Sequence, residues 1–412
     1  MSGQGRVVIV GAGHAGGTAA ALLRQQGWTG PITLVGEEPL APYQRPPLSK
    51  AWLKGEAEAG SLLLKPDSFY PDKDIALPLN RKVTGLDRGR KTVTLSDNST
   101  LIYDKLILAT GARPRRLPVP GADLDGVLEL RNAADADRLK SLLHPGRRLA
   151  IIGAGYVGLE VAASARTLGA EVVVIEREPR LLARVACPVL SDFFLGLHRG
   201  HGVAFELGAS ITAIESSDGV HVGAVRLADG RTLSCDAALV GIGAEPDCSL
   251  AASAGLDCGG GIIVDGAALT SDPDIYAIGD CTMRPVPLYG CSVRLESVPN
   301  ALEQAKQAVA DLCGAKPPAP EVPWFWSDQY DIKLQIAGLA IGAVNVVIRG
   351  EPAQSRFAVF HLDADMRVQA VEAVNAVPEF MTGRQLIASR QAVTRAKLAD
   401  PSVPMKEVGV IR

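Results

Sequence analysis

The sequence predicts an α/β chain with a smaller α+β region at its C-terminal end, and three observations predict it. One stretch occurs twice, at Arg6 and again at Arg148: "RVVIVGAGHAGGTAAALLRQQGWTGPITLVGEE" and "RLAIIGAGYVGLEVAASARTLGAEVVVIERE". Composition favours the same architecture, with 43 glycines and only 5% aromatic residues in a chain that is 47% hydrophobic. Beyond residue 323 the pattern changes to short strand-like runs followed by one helical run.

Each copy of the repeat opens with a short apolar run of strand type, as a strand buried on both faces requires. It then passes through Gly-x-Gly-x-x-Gly into an Ala/Leu-rich helical stretch and returns to a second strand ending in acid. A lone glycine pattern is weak evidence, but here the flanking strand, helix and second strand are all present, twice. The physics needs those residues. Gly11 and Gly153 permit the tight strand-to-helix turn, Gly13 and Gly155 let backbone approach a pyrophosphate, and Gly16 and Gly158 let helix and strand pack closely. The helix N-terminus offers free N–H groups to phosphate. Glu37 and Glu176 end the second strands, where a carboxylate can accept hydrogen bonds from ribose hydroxyls. The alternative, two packing motifs without a ligand, does not explain why the full context recurs. The chain is expected to bind two dinucleotides.

Further elements follow in order. "LILATGARPRRLPVPG" (106–121) and "AALVGIGAEPD" (237–247) each read as a strand running into a Pro/Gly-rich crossover. "IYAIGDC" (275–281) is a strand ending in Gly-Asp, "ESVPNALEQAKQAVADL" (296–312) a helix entered through a proline turn, and "CGAKPPAPEVP" (313–323) a linker. "DIKLQIAGL", "NVVIRG", "RFAVFHLD" and "RVQAVEAVN" suggest an antiparallel sheet, and "EFMTGRQLIASR" a closing helix.

Length, 412 residues, allows two or three domains. A net charge of −3 gives no global basic field and argues against a nucleic-acid partner. No uncharged apolar run is long enough to span a bilayer, and the N-terminus lacks the order of a signal peptide, so a cytoplasmic protein is expected. Seven cysteines, at 187, 235, 248, 258, 281, 291 and 313, form no Cys-x-x-Cys pair. That argues against a disulfide framework and against a zinc site, and no metal is expected.

The motifs "RPPLSKAWL", "ATGARPRRLP", "IGAGYVGLEVAA", "AIGDC", "ESVPNALEQA" and "WFWSDQY" together resemble the FAD-dependent, pyridine-nucleotide-using flavoproteins of the glutathione-reductase structural class. More narrowly, their order resembles bacterial NADH:ferredoxin reductases that serve cytochrome P450 and aromatic-ring dioxygenase systems. The resemblance covers essentially the whole chain. It implies an FAD-binding domain made of residues 1–113 and 246–323, an NAD-binding domain over 114–245 and a C-terminal α+β interface domain over 324–412. It further implies that Gly11, Gly13, His14 and Ala15 cradle the FAD pyrophosphate, with Glu37 on the adenosine ribose. Val83 is implied on the adenine side through its backbone, Arg45 and Arg131 beside the same cofactor, Asp280 on the ribityl chain and Val298 at the flavin. Lys50 is implied beside the flavin ring. Gly153, Gly155, Tyr156, Val157 and Glu160 are implied to line the nicotinamide nucleotide, and Glu176 its ribose. Many such proteins carry an acid immediately before the arginine of the Arg-Pro-Pro segment. This chain has Gln44, which removes that neighbour as an ion-pair partner for Arg45 and leaves cofactor binding itself unaffected.

The loop "APYQRPPLSKAWL" (41–53) contains no cysteine. Disulfide reductases of this class keep a redox-active cysteine pair near this region, and peroxide-reducing relatives keep one. Without a thiol relay the electrons must leave the flavin directly, and FAD, which accepts a hydride and releases electrons singly, suits an iron–sulfur acceptor. Pro46 and Pro47 stiffen the loop, and Lys50 places positive charge where negative charge develops. Taken alone, Lys50 reads as a surface lysine and Glu160 as a carboxylate stabilised by a helix N-terminus. Within the family pattern they read as a pair between flavin and nicotinamide that positions both rings. Glu176 repels a 2′-phosphate and accepts from a free 2′-hydroxyl, which argues for NADH, with Arg177 and Arg180 as nearby groups able in principle to take a phosphate. The family pattern places Trp326 near the flavin on the acceptor's side, although a Trp-Phe-Trp cluster is ordinarily core. His14 reads as a filler of the glycine loop and Cys281 as a small buried residue. Ferredoxins of this kind are acidic, so a basic patch is expected near the flavin edge, with Lys306 a candidate member.

The function expected is electron transfer from NADH through FAD, one electron at a time, to a [2Fe–2S] ferredoxin that supplies a P450 or ring-hydroxylating dioxygenase. The rivals are a rubredoxin reductase, a monodehydroascorbate-type reductase, an NADH oxidase, and an apoptosis-inducing-factor-like NADH-binding flavoprotein.

Overall fold

The two glycine repeats build two parallel five-stranded sheets of the same design. The computed structural model of the chain describes residues 4–409. In the first sheet the strand order is Ile275–Ala277, Lys105–Leu108, Val7–Val10, Ile32–Val35, Ile75–Ala76. In the second it is Ala204–Leu207, Glu171–Glu176, Arg148–Ile152, Ala237–Val240, Val127–Leu128. Neighbours run parallel throughout. The first strand of each repeat is central, with the repeat's own second strand on one side. On its other side lies the strand that begins each Pro/Gly-rich crossover. Val7–Val10 is buried at every residue, which is why the run carries no alternation.

Each unit also carries a three-stranded antiparallel sheet, Val83–Asp87 with Thr92–Leu95 and Thr100–Ile102 in one, Ile211–Glu215 with Ala224–Leu227 and Thr232–Ser234 in the other. The chain passes between the units through two antiparallel strands, Ala112–Pro114 and Ala244–Pro246.

The C-terminal sheet is antiparallel, in the order Trp324–Gln329, Ile332–Gly338, Val368–Val374, Arg356–Leu362, Asn345–Glu351. The aromatic segment "WFWSDQY", read from sequence only for its rings, is thus an edge strand of this sheet. Both faces are covered, and the residues alternate accordingly. Phe357 and Val359 join the core shared with Leu190 and Phe194 of the helix Pro188–Gly200. Ala358 and Phe360 join a separate core with Phe380 and Ile387 of the helix Val377–Ser389. A two-residue period with both faces apolar gives a continuous hydrophobic run, as in "RFAVF". Gly383 lets the closing helix approach, since a Cβ there would lie 2.6 Å from Val371 Cγ1.

Candidate functional site

A single cleft of about 2120 Å³ is lined by both glycine loops, the 43–50 loop, Gly279–Asp280 and the strand carrying Trp326. Drug-sized ligands occupy pockets of roughly 300–1,000 Å³, so this cleft has room for two extended ligands. The two loops match atom for atom in their constraints. Gly11 and Gly153 have φ of +108° and +104°, and a Cβ would lie 2.2 Å from Ala109 O and 2.5 Å from Gly241 O respectively. At Gly16 and Gly158 a Cβ would strike the carbonyl of the first glycine of the same loop.

Gly13 and Gly155 differ from the others. Their φ values are −90° and −81°, open to any residue, and a Cβ would meet nothing within 4 Å. Neither backbone strain nor protein packing requires glycine there. Both are N-caps, of the helices His14–Gln25 and Tyr156–Thr167, and neither helix has a side-chain cap. A space kept free of side chains beside uncapped N–H groups fits a phosphate-bearing ligand. The cradle occurs in both units.

Lys50 and Glu160 meet at the junction of all three parts of the chain. Lys50 Nζ lies 2.6 Å from Glu160 Oε2. Ser49 Oγ donates to the same oxygen at 2.6 Å, and Ser327 Oγ donates to Oε1 at 2.6 Å. Glu160 is buried, only 6% exposed. An ionised carboxylate out of water requires such a full set of partners. Ser164 Oγ donates to Ser49 O at 2.7 Å and fixes the loop to the second helix. Ser49 and Ser327 carried no signal in the sequence, because an isolated serine has no spacing to read.

The remaining residues separate into those that reach the cleft and one that does not. His14, Ala15, Glu37, Arg45, Arg131, Asp280, Val298, Trp326, Tyr156, Val157 and Glu176 all line it. Val83 does not; its side chain packs on the core around Val93 and Leu95, and its neighbour Lys82 reaches the cleft instead. Glu37 is exposed and pairs with Lys82 at 2.8 Å. Glu176 Oε2 accepts from Ala154 N at 2.7 Å and Oε1 from Glu178 N at 2.9 Å, which locks the carboxylate beside the second glycine loop. Arg45 has lost an acidic neighbour to Gln44 but finds Glu38 at 2.5 Å and also donates to Arg131 O at 2.5 Å. Tyr43 Oη donates to Glu38 Oε2 at 2.5 Å, so the acid that matters to the loop is the second of the two adjacent glutamates. Arg131 lies 3.4 Å from Asp280. Burial, with Arg45 adding to it, lowers the His14 imidazole to about 4, which leaves that ring neutral at physiological pH. Tyr156 packs edge-on against Phe325, and Trp324 lies 5.7 Å from Trp326 between ring centres. Arg180 donates to Ala186 O, Ala183 O and Ser191 Oγ and is thereby committed to its own loop and the start of the helix Pro188–Gly200. Lys306 is an exposed lysine 4.0 Å from Glu321.

Residues 5–305 match the family described as pyridine nucleotide-disulphide oxidoreductase. The chain belongs to that family. Residues 324–409 match a second family described as the reductase C-terminal domain. Within the oxidoreductases the chain stands with the putidaredoxin-reductase-like ferredoxin reductases. It is 50% identical to a probable ferredoxin reductase, CtmF, of Castellaniella defragrans, over the full length of both chains. It is 44% identical to putidaredoxin reductase CamA of Pseudomonas putida, covering 99% of this chain and 97% of that one. Among solved structures, the covalent putidaredoxin reductase–putidaredoxin complex matches with a TM-score of 0.95 at 44% identity over 98% of each chain. The ferredoxin reductase for the CYP199A2 system from Rhodopseudomonas palustris matches with a TM-score of 0.94 at 42% identity, over 98% of this chain and all of that one. The oxidoreductase uses FAD and NADH, and the two open glycine cradles fit one dinucleotide each. Among the described residues no helix is long and apolar enough to cross a membrane.

Proposed function

We propose that this oxidoreductase passes electrons from NADH through FAD to a [2Fe–2S] ferredoxin that supplies a cytochrome P450 or ring-hydroxylating oxygenase in the cytoplasm. Segments 1–113 and 246–323 hold FAD, 114–245 holds NADH, and 324–412 forms the face toward the acceptor. The observation that carries the reading is that both uncapped helix N-termini open on one cleft, beside a loop with no cysteine. Bound between these residues, FAD would supply hydride acceptance and one-electron release. The chain's residues bind and orient. The backbone at Gly11–Ala15 and Gly153–Val157 holds the two pyrophosphates, Glu37 and Glu176 take ribose hydroxyls, Arg45 and Arg131 brace the first cofactor, and Val83 offers its backbone. Asp280 and Val298 hold the ribityl chain and ring edge. Glu160, fixed by Ser49 and Ser327, keeps the Lys50 ammonium in one place, where its charge favours electron-rich states in the cleft. Trp326 closes the side toward the acceptor.

The ferredoxin reading is favoured over a rubredoxin acceptor by coverage. CtmF and CamA match over essentially the whole chain, whereas a rubredoxin–NAD(+) reductase of Pseudomonas putida matches 81% of it at 43% identity. NADH-driven cytochrome c reduction, measured with and without a [2Fe–2S] ferredoxin and with rubredoxin in its place, tests the proposal. Turnover that depends on the ferredoxin supports it. Equal or faster turnover with rubredoxin, or none with any iron–sulfur protein, overturns it.

A further inference from the structure

The inward face of the C-terminal sheet carries two titratable side chains where apolar residues surround them. On the strand Arg356–Leu362 that face reads Phe357, Val359, His361, and on Val368–Val374 it reads Ala370, Glu372, Val374. His361 pairs with Ala370 and Val359 with Glu372, so His361 and Glu372 are diagonal neighbours on one face. Both are more than nine-tenths buried. Cys187, at the N-cap of the helix Pro188–Gly200, comes to the same place from the second dinucleotide unit. One ligand atom from each of Cys187, His361 and Glu372 lies within 4.8 Å of the others.

Part of this cluster is explained by the protein alone. The Cys187 backbone N donates to both Glu372 oxygens, at 3.1 and 3.3 Å, so the carboxylate caps the helix. His361 has no such account. Its Nε2 is buried without a hydrogen-bond partner and sits 3.6 Å from Glu372 Oε1, beyond hydrogen-bond reach. A buried ring nitrogen left unpaired is destabilising, and it lies beside a thiol and a carboxylate.

We propose that Cys187 Sγ, His361 Nε2 and a Glu372 oxygen form a binding site for a borderline divalent transition-metal ion of the Zn²⁺ class. The donor set of sulfur, imidazole nitrogen and carboxylate suits such an ion and not Mg²⁺ or Ca²⁺, which take oxygen. One thiolate and one carboxylate neutralise two positive charges, which a buried site requires. Burial and the neighbouring Glu372 carboxylate push the Cys187 thiol up to about 12, against the opposing backbone N–H groups of Val189 and Leu190, so without an ion the sulfur keeps its proton and the ion must displace it. Metal–ligand bonds of about 2.0–2.3 Å place tetrahedral ligands roughly 3.3–3.8 Å apart, so atoms that lie within 4.8 Å of one another need to close by at most about 1.5 Å. Binding forms the metal–sulfur bond as the thiol proton leaves to solvent. The fourth position is left toward the cleft, whose wall all three residues share. The ion would tie the second dinucleotide unit to the C-terminal sheet.

The test uses chelator-treated, FAD-loaded full-length protein. Zn²⁺ is titrated calorimetrically, and Co²⁺ is followed by its ligand-field bands at wavelengths longer than flavin absorption and by near-ultraviolet difference spectra against the same flavoprotein without cobalt. Wild type should take up one ion per chain with a thiolate-to-cobalt charge-transfer band and a Zn²⁺-dependent rise in melting temperature. Cys187→Ser should lose that band. Cys187→Ser and His361→Gln should each weaken Zn²⁺ binding at least about tenfold and abolish the melting shift. Cys258→Ser, at an exposed cysteine, should bind as wild type. Wild type without stoichiometric uptake, or both site variants binding Zn²⁺ as tightly as wild type, overturns the proposal. Circular dichroism of the variants confirms folding, and the wild-type cobalt spectrum decides by itself if either fails to fold.

Discussion

The Lys50 ammonium and the Glu160 carboxylate lie 2.6 Å apart although they stand in different units of the chain, and a third unit completes the contact through Ser327. The pair therefore depends on how the units pack together. Its geometry carries a mechanical consequence: anything that shifts the C-terminal strand disturbs the group presented to the cleft.

Ser327→Ala tests that coupling. Ser327 is fully buried and its hydroxyl satisfies Glu160 Oε1. Removing it should cost about 1–3 kcal/mol of stability, since a buried charged acceptor loses a donor. Chemical denaturation measures the loss. A double-mutant cycle with Glu160→Gln should show non-additivity, because the two changes remove one interaction.

Arg45→Met should destabilise the 41–53 loop. The guanidinium bridges Glu38 and the Arg131 carbonyl, and the site is only partly exposed. The expected cost is about 1–3 kcal/mol, between that of a surface pair and a fully buried one. FAD should also be released more readily, which equilibrium dialysis or flavin fluorescence would detect.

The role proposed for Glu176 makes it the residue that sets cofactor choice. Its carboxylate is locked by two backbone N–H groups, and Arg180 is engaged within its own loop. NADPH should support a kcat/KM at least about 100-fold below that of NADH, equivalent to about 2.7 kcal/mol. Glu176→Ala should raise KM for NADH more than it lowers kcat and should narrow that ratio. Equal kcat/KM for the two nucleotides in wild type would contradict the reading.

Stability should depend on pH through His198. Burial lowers this imidazole to about 4, against 6.5 in an unfolded chain, with Gln329 Oε1 at 2.8 Å from Nε2. Between these values the unfolded state binds a proton that the folded state does not. The contribution is therefore complete above about pH 6.5 and is lost as pH falls toward 4, on the order of 2–3 kcal/mol over the window. His198→Asn should remove that component of the slope in unfolding free energy against pH.

The sequence made the two dinucleotide units legible because their physics is local. A turn at φ above +100° and a helix packed on that turn's carbonyl leave room only for glycine, and the glycines recur at fixed spacing. The C-terminal sheet was legible as alternation, but "WFWSDQY" hid its strand because aromatic rings fit either a core or an edge. Partners distant in sequence were not legible. Lys50 and Glu160 emerged only through resemblance, and Ser49, Ser327 and Glu38 did not emerge at all. Cys187, His361 and Glu372 have no common spacing, and only the fold brings them within reach of one another. Val83 is expected at the first cofactor through its backbone alone, and its side chain packs on the core.

The most direct test of the central claim is anaerobic stopped-flow reduction by NADH, followed as loss of the yellow flavin absorbance, in wild type, Lys50→Met and Glu160→Gln. The arrangement predicts that both variants bind FAD and NADH but bleach at least about tenfold more slowly, a loss of roughly 1.4 kcal/mol or more of transition-state stabilisation. Bleaching of both variants at the wild-type rate would contradict it.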